Sequence, residues 1–257
     1  MEVLDAAFQV AVLLTNQVKK HSSEKFVTPT SIFEFARMFE AIRVQVASII
    51  ATSTENETNK RGSEYKDLQL LEADALFYMG GLYFFSGNYF DEAAEMLNEA
   101  LHRYQELQRE NPPQVYLDAS LSLTKENSDP SKSTTGQSQS IFFDMKLQRT
   151  LADMGFVFHK LELHDNSMQC YKSALEIQKR LAVYTLETSK NGSETGDERP
   201  SENPMPCTSV ELKMAIADTI YGIGFLYADG HHEHTSKHMA LRYLEEAAVM
   251  KQQLVSD

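Results

Sequence analysis

The sequence predicts an all-α chain built from antiparallel helical hairpins. Apolar residues recur three and four positions apart through most of its length, the period of one helix face. Gly, Asn and Pro punctuate those runs where a helix would turn back on itself. Three stretches, 52–64, 124–140 and 187–203, hold no aliphatic or aromatic residue, so they bury too little apolar surface to offset the entropy of ordering. The expected organisation is an N-terminal helical pair over 1–51, a polar loop over 52–64, hairpins over 65–113, 141–186 and 209–257, and polar spacers over 114–140 and 187–208.

Each block supports that division. Leu4 to Val18 reads as one helix. A second starts at Thr30 or Ser31, where Ser31 and Glu34 have capping-box spacing. It continues through Phe35, Phe39, Ile42, Val46 and Ile49. From Leu68 to Phe85 the apolar residues run nearly all round the helix, as expected of one buried on more than one side. Ser86, Gly87 and Asn88 supply a stop. The chain restarts near Asp91 with Ala93, Leu97, Ala100, Tyr104 and Leu107 on one face, and Asn111-Pro112-Pro113 ends it. The third block runs from Ile141 to Leu163, breaks around His164, and resumes through Met168, Tyr171, Ala174 and Leu181. The fourth runs from Val210 to Ala228, breaks at Asp229-Gly230, and resumes through Ala240, Tyr243, Leu244 and Ala247.

Composition narrows the function class. Against 24 Lys and Arg stand 37 Asp and Glu among 257 residues, a net charge of −13. No basic cluster is present to neutralise phosphates, which argues against nucleic acid, and the acidity disfavours an anionic membrane surface. Cys170 and Cys207 form no CxxC pair. The acidic N-terminus differs from the basic start of a signal peptide. A cytoplasmic location is expected.

The last three hairpins share one frame. Their first helices carry Leu76, Gly80 and Tyr83, then Leu151, Gly155 and Phe158, then Ile220, Gly224 and Tyr227. Their second helices carry small residues seven apart: Ala93 and Ala100, Ser167 and Ala174, Ala240 and Ala247. This resembles the tetratricopeptide repeat. The phrase from Ala174 to Arg180 is similar to the kinesin light-chain subclass. Leu226 to Gly230, taken with Glu246, Ala247 and Ala248, is similar to the Sel-type repeat. Glu162 stands where the family usually has a turn Gly.

The resemblance implies a right-handed superhelix, an α-solenoid whose concave wall of first helices holds a peptide or helix of a partner protein. It implies exposure of Phe77, Gly81, Phe84 and Phe85 in one repeat. In the next it implies exposure of Arg149, Ala152, Phe156, His159 and Lys160, and in the last of Asp218, Tyr221, Phe225 and Asp229. The alternative is that most of these aromatics are ordinary core between hairpins. The Lys, Asn and Arg clamp of chaperone-binding members is missing, since Phe77, Tyr78 and Gly81, then Arg149 and Asp153, occupy its positions. The expected partner is a protein segment with basic and apolar residues, and no cofactor or metal is required. Tyr243, Leu244, Val249 and Leu254 lack the capping helix usual in the family, which leaves self-association open.

Candidates for chemistry are few. His231, His232, Glu233, His234 and His238 form one ligand-like cluster, in which His234 and His238 are four apart. It is not HExxH, and an elongated turn is where solvated polar residues are expected. A metal-binding protein or metalloenzyme using His231 to His238 is the alternative reading. No GxSxG or GxxxxGK[ST] sequence occurs, and the paired glycines fall inside helices and not in phosphate loops.

Overall fold

Helix-forming runs with apolar positions three and four apart give eight helices and no strand among the described residues of the computed structural model, namely 5–13, 29–53, 62–110, 134–191, 209–229 and 237–256. Residues 5–13 form α1. Pro29–Ser53 is α2, with proline at a first-turn position where its missing N–H costs nothing. Gly62–Ser86 is α3 and Phe90–Glu110 is α4. Thr134–Lys160 is α5, His164–Asn191 is α6, Ser209–Ala228 is α7 and Lys237–Ser256 is α8. The helices overrun the expected spacers: residues 62–64, 134–140 and 187–191 are helical. A nucleated helix adds a hydrogen bond with each further residue, so polar residues of moderate propensity extend it past the last apolar anchor.

The chain divides into two compact units. The first comprises Met1–Leu107 with Lys160–Glu162, and the second comprises Gln108–His159 with Leu163–Asp257. In the first unit Phe8, Phe39, Val46, Ala75, Met79 and Leu82 belong to one core shared by α1, α2 and α3. The Phe39 and Tyr78 rings stack at 5.5 Å, with Phe8 edge-on to both at 5.7 Å. Ala93, Leu97, Ala100, Tyr104 and Leu107 are buried on α4. Asp91 and Glu92 in its first turn and Arg109 in its last suit the helix dipole. The Tyr104 hydroxyl donates to Asp74 of α3, so this buried phenol meets a polar partner.

The same contact recurs in three hairpins. A Cβ placed on Gly80 would lie 2.7 Å from Leu97 Cγ, one on Gly155 would lie 2.6 Å from the Tyr171 ring, and one on Gly224 would lie 3.0 Å from Leu244 Cγ. Each partner follows the first small residue of its second helix by four, since Leu97 follows Ala93, Tyr171 follows Ser167 and Leu244 follows Ala240. Ala93, Ala100, Ser167, Ala174, Ala240 and Ala247 are all buried. The frame read from sequence is therefore one packing geometry used three times. Ser167 adds a bond of its own, its hydroxyl donating to the Gly155 carbonyl at 2.6 Å.

Two turns show how the hairpins close. Gly87 takes φ 78° after α3, with its N–H donating to the Phe84 carbonyl at 3.1 Å. After α5 the left-handed residue is Glu162, at φ 61°. The Leu163 N–H reaches back to the Phe158 carbonyl at 2.9 Å, the six-to-one bond of a Schellman ending. The break lies at Leu161 to Leu163, and His164 already belongs to α6.

In the second unit, buried polar groups join three helices. The Gln178 side-chain amide of α6 donates to Gln148 Oε1 of α5 at 2.8 Å and to Thr219 Oγ1 of α7 at 2.9 Å. The Thr219 hydroxyl donates to the Ala215 carbonyl at 2.9 Å. A one-turn slip of any of these helices would leave such groups unsatisfied. Of the residues expected to lack cover on α8, Tyr243 stacks on Tyr227 at 5.7 Å and Leu244 packs on Gly224. Val249 is exposed.

Candidate functional site

The first helices decide which side chains are offered to a partner. On α3, Phe77 and Gly81 are buried, contrary to the expected exposure. This helix is apolar round its circumference and is packed on more than one side. Phe84 is half-buried between the rings of Phe85, at 5.5 Å, and Phe90, at 6.0 Å. Phe85 is exposed.

On α5, Arg149 and Lys160 are exposed and Ala152 is half-buried. Phe156 is half-buried, meeting the Tyr171 ring edge-on at 5.4 Å. This residue serves the core more than the surface. His159 Nε2 lies 3.0 Å from Asp229 Oδ2, just past the end of α7, and its ring meets Phe225 at 5.4 Å and His164 at 5.8 Å. The end of α5 is thus fastened to the end of α7.

The α7 helix is the most open of the first helices described. Val210, Met214, Tyr221 and Phe225 are exposed at 54%, 36%, 41% and 40%. With Asp218 they are spaced four, four, three and four apart, so they line one face for about 22 Å at 1.5 Å per residue. The Tyr221 and Phe225 rings are 6.0 Å apart. Lys251 of α8 crosses this face: its Nζ lies 2.6 Å from Asp218 Oδ1 and 5.3 Å from the Tyr221 ring centroid. Tyr221 and Phe225 were expected at the surface. Val210, Met214 and Lys251 were not, because α7 is apolar on several sides and its pattern alone does not say which side is left open.

No protein-family model matches the chain, and no curated protein matches it. Among solved structures it is similar to the DHF58 filament, at TM-score 0.35 and 12% identity over 98% of this chain and 97% of that one. It is also similar to the DHF119 filament, at TM-score 0.39 and 12% identity over 99% and 96%. A third is the de novo designed helical repeat protein DHR64, at TM-score 0.39 and 10% identity over 99% and 96%.

His231, His232, Glu233 and His234 lie outside the described residues, as does Cys207. His238 is exposed in the first turn of α8. No group of three His, Cys, Asp or Glu able to hold a metal occurs among the described residues, and no helix among them is long and apolar enough to cross a membrane. Cys170 is buried on α6, and desolvation pushes its thiol up to about 11. A thiol so protonated is a poor nucleophile at neutral pH.

Gly222 was also missed. A Cβ there would lie 2.5 Å from Tyr171 Cζ. Tyr171, of the preceding hairpin, therefore packs closely on both Gly155 of α5 and Gly222 of α7. Its signal in the sequence was the glycine pair two apart on one helix, of which only Gly224 fitted the repeat frame.

Proposed function

We propose that the protein is a non-catalytic scaffold of tetratricopeptide-like hairpins that binds a peptide or helix of a partner protein along its first helices. The observation that carries this reading is the exposed stripe of α7. Four exposed apolar side chains share one face of one helix, two on either side of Asp218, a clustering of the kind that marks interaction surfaces, whereas singly scattered apolar residues would not. Amphipathic helices are held in this way, through anchors at three- and four-residue spacing. The repeated contacts of Gly80, Gly155 and Gly224 support the kinship with the tetratricopeptide frame. The pair of cysteines outside any CxxC motif supports a reducing, cytoplasmic location.

A tagged pull-down from the native host, run beside a Tyr221→Glu/Phe225→Glu variant of unchanged helicity, tests the reading. Partners captured by the parent should be lost by the variant. Unchanged capture would remove α7 from the binding surface and overturn the proposal.

A further inference from the structure

The α7 face, with the residue just past its end, carries two couples of an aromatic ring and a carboxylate, Asp218 with Tyr221 and Phe225 with Asp229. Each couple receives a nitrogen base from another helix. His159 fills the Phe225 and Asp229 couple from α5 and is mostly buried there. Lys251 fills the Asp218 and Tyr221 couple from α8, but its side chain remains 40% exposed and that of Asp218 50%. An ion pair so open to water is weak and exchanges readily. An ammonium or guanidinium over a tyrosine face with a carboxylate beside it is nonetheless a favourable arrangement. The couple is thus complementary to a cation, and its present occupant is only loosely held.

We infer that Lys251 is an internal placeholder, and that the occupant of the α7 stripe is an amphipathic helix of a partner whose Arg or Lys displaces it. The partner's apolar residues cover Val210, Met214 and Phe225, while its cation takes the place of the Lys251 ammonium between Asp218 and Tyr221. This rests on the reading of α7 as a docking face and adds the chemistry of the partner. Charge complementarity supports it, since the chain carries a net charge of −13 and would draw a basic segment towards it.

The test uses the full chain and two synthetic fluorescein-labelled helical peptides with the same leucine stripe, one flanked by Arg and the other by Glu, followed by fluorescence anisotropy. The Arg peptide should bind at least about tenfold more tightly than the Glu peptide. Lys251→Met should tighten Arg-peptide binding by about three- to tenfold, given the usual strength of a cation over an aromatic ring. Lys213→Met makes the same charge change at an exposed lysine on α7 itself and should leave the affinity nearly unaltered. Asp218→Asn and Tyr221→Ser should each weaken the Arg peptide and abolish the gain from Lys251→Met. Circular dichroism checks that these surface variants keep their helicity. Equal binding of both peptides, binding of neither, or equal effects of Lys251→Met and Lys213→Met would overturn the inference. If the pull-down loses partners on changing Tyr221 and Phe225 while the Arg peptide fails, the docking face stands and only its cation chemistry falls.

Discussion

A methyl group on Gly222 would stand 2.5–2.8 Å from three atoms of Tyr171, a ring that is itself 1% exposed. The ring has little room to shift, because its Cε1 and Cζ atoms are pressed close to Gly155 as well. Gly222→Ala is therefore expected to destabilise the protein by about 1–3 kcal/mol through overpacking, even though alanine is the better helix former. Urea denaturation would measure the loss, and adding Tyr171→Leu should recover part of it if the clash is the cause. Beside this ring sits Cys170. Its thiol ordinarily ionises near 9.0 but stays protonated to about 11 in the fold. Over that interval the unfolded chain binds fewer protons than the folded one, so stability should fall as pH rises from about 9 to about 11. Burial and the nearby Asp153 push the Tyr171 phenol upward as well, which acts in the same direction. Alkaline titration of Cys170→Ala should show a shallower decline than the parent, and an unchanged slope would mean that the thiol is not held in its neutral form.

At the level of single helices, the turn after α5 stores a small cost. Glu162 occupies a left-handed conformation that disfavours a side chain with a Cβ. The sequence had already marked this position as lacking its expected glycine. Glu162→Gly should stabilise the protein by about 0.5–1 kcal/mol, the relief of strain exceeding the added freedom of the unfolded chain, and a thermal melt would register it. Helix identity was legible because alternating large and small apolar residues on α4 and α6 leave only one face to bury. Helix ends were less so. Residues 134–140 and 187–191 carry no large apolar group to anchor them, yet they continue helices that were nucleated elsewhere. The buried link from Gln148 through Gln178 to Thr219 was also illegible. Glutamine on a helix usually faces water, and nothing local distinguishes one that meets its partners only across helices.

For the molecule as a whole, the all-α architecture and the three-fold use of one glycine contact could be read from the chain. Which aromatics would face outward could not, because that depends on how many neighbours each first helix has. Phe77 and Phe156 went to the interior side and Tyr221 and Phe225 to the surface, although all four sit in similar apolar runs. The close packing on Tyr171 bears on how such a chain can change over time. In a solenoid each repeat contacts only its neighbours, so a copied unit must fit the hairpin it is set beside. Here the residue two before the frame glycine is Tyr78 in α3, Asp153 in α5 and Gly222 in α7, and only the last leaves room for a tyrosine. A duplicated α5–α6 hairpin would bring Asp153, in place of Gly222, against the Tyr171 of its predecessor. The hairpins are thus ordered parts and not interchangeable modules, and lineages of this protein should lengthen by adding units at the ends and seldom by duplication between α5 and α8.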